Sequence, residues 1–165
     1  MLMKIAPPLL LAATALAGCS SENDAANAAP SDLACKGDAI VVADAWMRPA
    51  RAGQPTAAAY FSICNGGEAD AMTDVAFAGA DAAELHKTEI NDAGVASMRP
   101  AKTVDLPTGE TVTLAPGGSH VMLIGIGDDI ALGDRPVLDL QFENAASIKA
   151  VVEVRDDKAG GHKGH

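Results

Sequence analysis

Aromatic side chains are scarce in this sequence: three Phe, one Trp and one Tyr among 165 residues. A core made from it has to rest on Val, Ile, Leu, Met and Ala. Cationic residues are few as well, 12 Lys and Arg against 22 Asp and Glu, for a formal charge of −10. That balance argues against a nucleic-acid partner and against docking on anionic lipid by charge, and it favours a cationic ligand. Cysteine occurs three times, with no Cys-x-x-Cys spacing, so no thioredoxin-like redox motif is present. No apolar run is long enough to span a bilayer as a helix. No window holds a helical period for long, and no internal repeat is found.

The chain divides into four parts. Met1 to Lys4 form a short positive head, and Ile5 to Leu16 are almost wholly apolar. This is the pattern of a secretory signal peptide. Leu16-Ala17-Gly18-Cys19 resembles the lipobox of bacterial lipoproteins, which implies a signal peptide over residues 1–18 and a lipidated Cys19 at the start of the mature chain. Residues 19–34 are small and polar with almost nothing to bury, and read as a tether. As a flexible coil of roughly 15 residues it reaches about 20 Å. Residues 35–157 supply one domain with a single core, and residues 158–165 form a short tail. Cys35 and Cys64 remain in an oxidising compartment, where a disulfide is the favoured reading. A reactive or metal-binding thiol at Cys64 is the alternative, although no cation or base lies beside it in sequence.

Within the domain, short extended runs recur between Pro and Gly turns: 39–47, 57–64, 73–77, 83–90, 95–98, 110–115, 120–126, 137–142 and 148–154. Eight to nine short strands of this kind predict an all-β antiparallel sandwich or barrel. In Ala83 to Met98, a three-residue loop Asp92-Ala93-Gly94 with Gly in the left-handed position is a favoured hairpin connection. It sets Thr88 opposite Met98, so His86 lies diagonal to Met98 on one face. A loop shorter or longer by one residue puts them on opposite faces.

His120-Val121-Met122 opens another strand, in which residues two apart share a face. His86, Met98, His120 and Met122 thus form a candidate set of two imidazoles and two thioethers, with no carboxylate and no thiolate. Thioether sulfur is a poor ligand for zinc, magnesium or calcium and a good one for Cu(I). In an oxidising compartment it offers softness without the risk of disulfide formation. Taken singly, each Met is more often core and each His more often a hydrogen-bonded group; the matched faces are what single them out. Met47 and Met72 are assigned to packing.

The spacing of these residues is His86, Lys87, ten residues, Met98, twenty-one residues, then His120-Val121-Met122. It resembles the motif of the PCuAC family of periplasmic copper chaperones at every interval. The likeness extends through Asp44-Ala45-Trp46, Arg48-Pro49, Glu84-Leu85-His86, Met98-Arg99-Pro100 and Ala115-Pro116-Gly117-Gly118-Ser119. The resemblance implies a cupredoxin-like Greek-key β-sandwich binding one Cu(I) through His86, Met98, His120 and Met122. It also implies delivery to the dinuclear copper centre of haem–copper oxidases, or to one of their assembly factors. Lys87 stands where the family has an optional Met, so a fifth sulfur is lost. His162 and His165 in the tail offer nitrogen donors better suited to Cu(II).

The expected protein is therefore a non-enzymatic metallochaperone, a monomer with no nucleic-acid partner, periplasmic and held to a membrane by its lipid alone. Copper sequestration without delivery requires the same ligands and stays open. A thiol–disulfide protein using Cys35 and Cys64 is the alternative from another class. A lipoprotein sandwich whose His and Met residues bind nothing is the structural alternative. By the lipoprotein sorting rule Ser20 favours the outer membrane, whereas oxidases lie in the inner one, so the anchoring membrane stays undecided.

Overall fold

The structure, a computed structural model, describes Cys35, residues 37–90 and residues 95–156. The signal peptide, Cys19, the tether, and His162 and His165 lie outside the described residues. Eleven strands and no helix are found among those described: β1 Ile40–Met47, β2 Thr56–Asn65, β3 Asp70–Phe77, β4 Ala80–Ile90, β5 Ala96–Pro100, β6 Val104–Leu106, β7 Thr111–Leu114, β8 His120–Ile126, β9 Val137–Phe142, β10 Ile148–Val151 and β11 Glu153–Val154. They form two sheets. The larger has the order β11-β1-β2-β8-β4-β5, with β7 also paired to β2, and the smaller has the order β10-β9-β3-β6. The result is an all-β, cupredoxin-like Greek-key sandwich.

Eleven strands exceed the expected eight to nine for two reasons. Val104–Leu106 is three residues long and too short to show a period. The run 148–154 is in fact two strands: Ile148–Val151 pairs with β9 in the smaller sheet, and Glu153–Val154 runs parallel to β1 in the larger. Ala150, Val152 and Val154 all point inward across this switch. Both sheets share one core, so the alternation along the chain continues unbroken while its hydrogen-bond partners change.

Strand β2 is central. Ala59, Phe61 and Ile63 enter the core, and β1 lies along one edge. The other edge is divided, with Thr56–Ala59 paired to β8 and Phe61–Cys64 paired to β7. The three Phe residues all belong to or pack on the core, together with the fully buried Met47 and Met72. The single Trp and Tyr do not join that cluster; they lie on the other face of the larger sheet.

That displacement is produced by a bulge. Val42 and Ala43 pair with Ile63 and Ser62, but Trp46 pairs with Tyr60, one residue out of step. An uninterrupted ladder would set Trp46 opposite Ala59, on the core face. The extra residue reverses the parity, as bulges do. Trp46 then stacks on Tyr60 with ring centroids 4.8 Å apart, and Met47 takes the core position opposite Ala59. Asp44 absorbs the irregularity at φ 49°, in the left-handed region, and its carboxylate accepts from Arg155 at 3.0 Å.

At the far end of β2, Cys35 and Cys64 are joined by a disulfide with their Cα atoms 5.2 Å apart. The adjoining Asn65 is buried, and its side-chain amide donates to the carbonyls of Glu68 at 2.7 Å and Leu106 at 2.8 Å. Gly66 has to be glycine, because a Cβ there would collide with the Gly37 carbonyl.

Candidate metal centre

The candidate ligands converge on the outer face of the larger sheet. Val121 and Leu123 of β8 are fully buried in the core, so His120 and Met122 point the other way. Strand β4 pairs with β8 in a register that sets His86 opposite His120 and Glu84 opposite Met122. Strand β5, at the sheet's edge, sets Met98 opposite Thr88, the register that a three-residue loop requires. The two imidazole centroids are 5.7 Å apart. Tyr60 backs His120 at 6.4 Å, which links Trp46, Tyr60, His120 and His86 in one row of rings.

Both imidazoles are nearly buried, with 8% of His86 and 6% of His120 exposed, whereas Met98 is 62% exposed. Met122 is half-buried. A cavity of about 340 Å³ opens beside them, lined by Arg48, Tyr60, Met98, His120 and Met122 among others. The donor set therefore has a dry, fixed side made of imidazoles and a solvent side made of one edge-strand thioether. Lys87, in the place of the optional Met, alternates to the opposite face and pairs across from Arg99.

The nitrogens of the two rings are engaged differently. Ala115-Pro116-Gly117-Gly118 forms a tight turn: Gly118 N–H donates to the Ala115 carbonyl at 2.9 Å, and Gly117 adopts φ 83°. Pro followed by a left-handed Gly is what a type II turn requires. The turn delivers the Gly118 carbonyl to two donors, the Thr88 hydroxyl at 3.0 Å and His120 Nδ1 at 3.1 Å. A carbonyl only accepts, so His120 carries its proton on Nδ1 and presents Nε2 as a lone pair. In His86, Nε2 lies 3.0 Å from Glu84 Oε2, while Nδ1 is buried with no partner. A buried polar nitrogen left unpaired costs about 1–3 kcal/mol. Such an atom calls for a ligand, and a soft cation is one that this donor set would take.

Sequence reasoning leaves out one neighbour of the set, Glu84, which the structure places against His86 and across from Met122. The signal was present in Glu84-Leu85-His86, since residues two apart on a strand share a face. Trp46 and Tyr60 were also missed as site neighbours, and the bulge that brings Trp46 there left no sequence mark. Among the described residues no three His, Cys, Asp or Glu side chains converge as a metal-ligand group. Metal binding at this face would thus depend on the two sulfurs. That chemistry favours Cu(I) over zinc or a hard cation. Cys35 and Cys64 contribute nothing here, being paired to one another at the other end of β2.

Comparison with known proteins agrees with this architecture. The family of LpqE-like lipoproteins matches residues 40–154. A relative from Leifsonia xyli subsp. xyli, named as a lipoprotein, is 31% identical over 143 residues, which cover 86% of this chain and 82% of the relative. Among solved structures, the copper-bound PCuAC domain from PmoF2 is 27% identical with a TM-score of 0.58, covering 70% of this chain and 91% of that domain. The apo PCuAC domain from PmoF1 is 26% identical with a TM-score of 0.59, covering 70% and 92%. DR1885 from Deinococcus radiodurans, in its apo solution structure, is 20% identical with a TM-score of 0.54 over 94% of this chain and 96% of that one, a likeness of fold.

Proposed function

The chain belongs to the LpqE-like lipoprotein family of PCuAC-type domains, and on that premise we propose that it is a Cu(I) metallochaperone. Its cargo is one Cu(I) per domain, held by His86, Met98, His120 and Met122. The observation that carries the reading is the direct pairing of His86 with His120, with Met122 and Met98 on the same face. The copper-bound PCuAC neighbour supports it. The protein binds and transfers; it catalyses no reaction.

Delivery is favoured over sequestration by the exposure of Met98. A thioether on an edge strand can be exchanged for a partner's ligand without opening the sandwich, whereas a storage site gains from burying every donor. The acceptor we propose is the dinuclear copper centre of a haem–copper oxidase or one of its assembly factors. Residues 1–18 act as signal peptide, Cys19 as lipidated anchor, residues 19–34 as tether to the domain over 35–157, and the tail of residues 158–165, with His162 and His165, as an auxiliary Cu(II) site. The setting is the periplasm, on the inner or the outer membrane.

The test is copper K-edge X-ray absorption on protein loaded with one equivalent of Cu(I) under argon. A mixed nitrogen and sulfur shell that loses sulfur in Met98→Ala and in Met122→Ala is the expected result. A shell without sulfur, or no stoichiometric binding, overturns the proposal. Mixing the loaded protein with a copper-free oxidase subunit separates delivery from sequestration, because a sequestering protein keeps its metal.

A further inference from the structure

We infer that Glu84 is a positioning residue for copper binding, selecting the nitrogen that His86 offers to the metal. The inference rests on the functional reading above and extends it to a residue outside the His and Met set. A carboxylate can only accept, so the 3.0 Å contact between Glu84 Oε2 and His86 Nε2 places the imidazole proton on Nε2. The other nitrogen, Nδ1, is then the bare one, and it is the buried side-chain atom with no hydrogen-bond partner. His120 is fixed by the same logic in the opposite sense: the Gly118 carbonyl holds the proton on Nδ1 and leaves Nε2 bare. One ring is thus set by a carboxylate and the other by a backbone turn, each from the side away from its lone pair.

The two devices differ in one respect. The Gly118 carbonyl carries no charge, whereas Glu84 brings a negative charge against a set of otherwise neutral donors. The charge polarises the His86 ring through its N–H and strengthens Nδ1 as a metal donor, as carboxylates behind metal-bound histidines do. Glu84 also sits directly opposite Met122 on the same face of the sheet. Its side chain is 45% exposed. It can be replaced without opening the core, which makes the inference testable.

The measurement is the tautomeric state of His86 in the copper-free protein, read from long-range proton–nitrogen-15 correlations under mildly alkaline conditions. The wild type is expected to show the Nε2–H form. Glu84→Leu is expected to mix the two tautomers, and Glu84→Gln, which keeps an accepting oxygen, to restore the Nε2–H form. Competition for Cu(I) against bicinchoninate should show affinity roughly 10–100-fold weaker in Glu84→Leu and mostly recovered in Glu84→Gln. An Nδ1–H form in the wild type, or a tautomer unchanged in Glu84→Leu, overturns the inference. So does equal loss of affinity in both variants with the tautomer preserved in Glu84→Gln, since charge alone would then be acting. The tautomer is read without copper. Failure of the wild type to bind Cu(I) would therefore count against the proposed function, while the spectra still decide the role of Glu84.

Discussion

Two kinds of methionine are present in this domain, and they should respond oppositely to truncation. Met98 is 62% exposed on an edge strand, so Met98→Ala removes little packing. We expect its unfolding free energy to stay within about 0.5 kcal/mol of wild type. Its Cu(I) affinity should nevertheless fall tenfold or more, since a soft donor is lost; denaturant unfolding and Cu(I) competition check the two halves. Met72 is fully buried in the core. Met72→Ala should cost about 2–5 kcal/mol of stability and leave the affinity of the folded fraction unchanged. The same residue type thus stands exposed at the candidate metal face of the larger sheet and packs the core from the smaller one.

At the scale of the element, the bulge in β1 decides what stands behind His120. Arg155 holds it from two directions, with its guanidinium 3.0 Å from Asp44 Oδ1 and its Cζ 5.0 Å from the Trp46 ring centroid. Both groups of the ion pair are partly buried. Arg155→Ala should lower stability by about 1 kcal/mol. It should also alter the emission of Trp46, which is the sole tryptophan and so reports without interference. Strand β3 begins with a different device. Asp70 accepts from the backbone N–H groups of Ala71 at 2.7 Å, Ala145 at 2.8 Å and Asn144 at 3.0 Å, which ties the start of β3 to the β9–β10 connection. Burial alone would push its carboxyl up, but these donors outweigh it and hold the group below the usual carboxylate range. A lowered folded-state value means stability that is present above the ordinary carboxylate range and is lost as pH falls through the folded-state value. Asp70→Ala should therefore be less stable than wild type in urea at neutral pH. The gap should narrow as pH falls through the folded-state value.

For the whole molecule, the sandwich separates the disulfide from the candidate metal face along a single strand. Cys64 lies six positions from Ala58 (64 − 58), the residue that pairs with Met122. At the strand rise this is roughly 20 Å. Reduction should destabilise the fold by about 2–4 kcal/mol, visible as a lower denaturation midpoint. The affinity of the folded protein for Cu(I) should not change. A marked gain or loss of copper binding on reduction would instead support a functional thiol at Cys64.

Much of this was legible locally. Strand periodicity, Pro and Gly punctuation and the lack of any helical period determined an all-β sandwich. The soft donor chemistry of His86, Met98, His120 and Met122 singled them out, and the three-residue loop expected at Asp92-Ala93-Gly94 anticipated the register that places Thr88 opposite Met98. The reason is physical: side-chain alternation, turn conformation and ligand softness are properties of a few neighbouring residues. The tertiary structure alone decided the rest. It paired His86 with His120 across strands distant in sequence, turned Trp46 outward through an extra residue at Asp44, and passed the chain from one sheet to the other at Val152. It also set Glu84 against His86, with the other nitrogen of that ring buried and bare. Those outcomes depend on which strand becomes the neighbour and in which register, and the core settles that only when both sheets close over it.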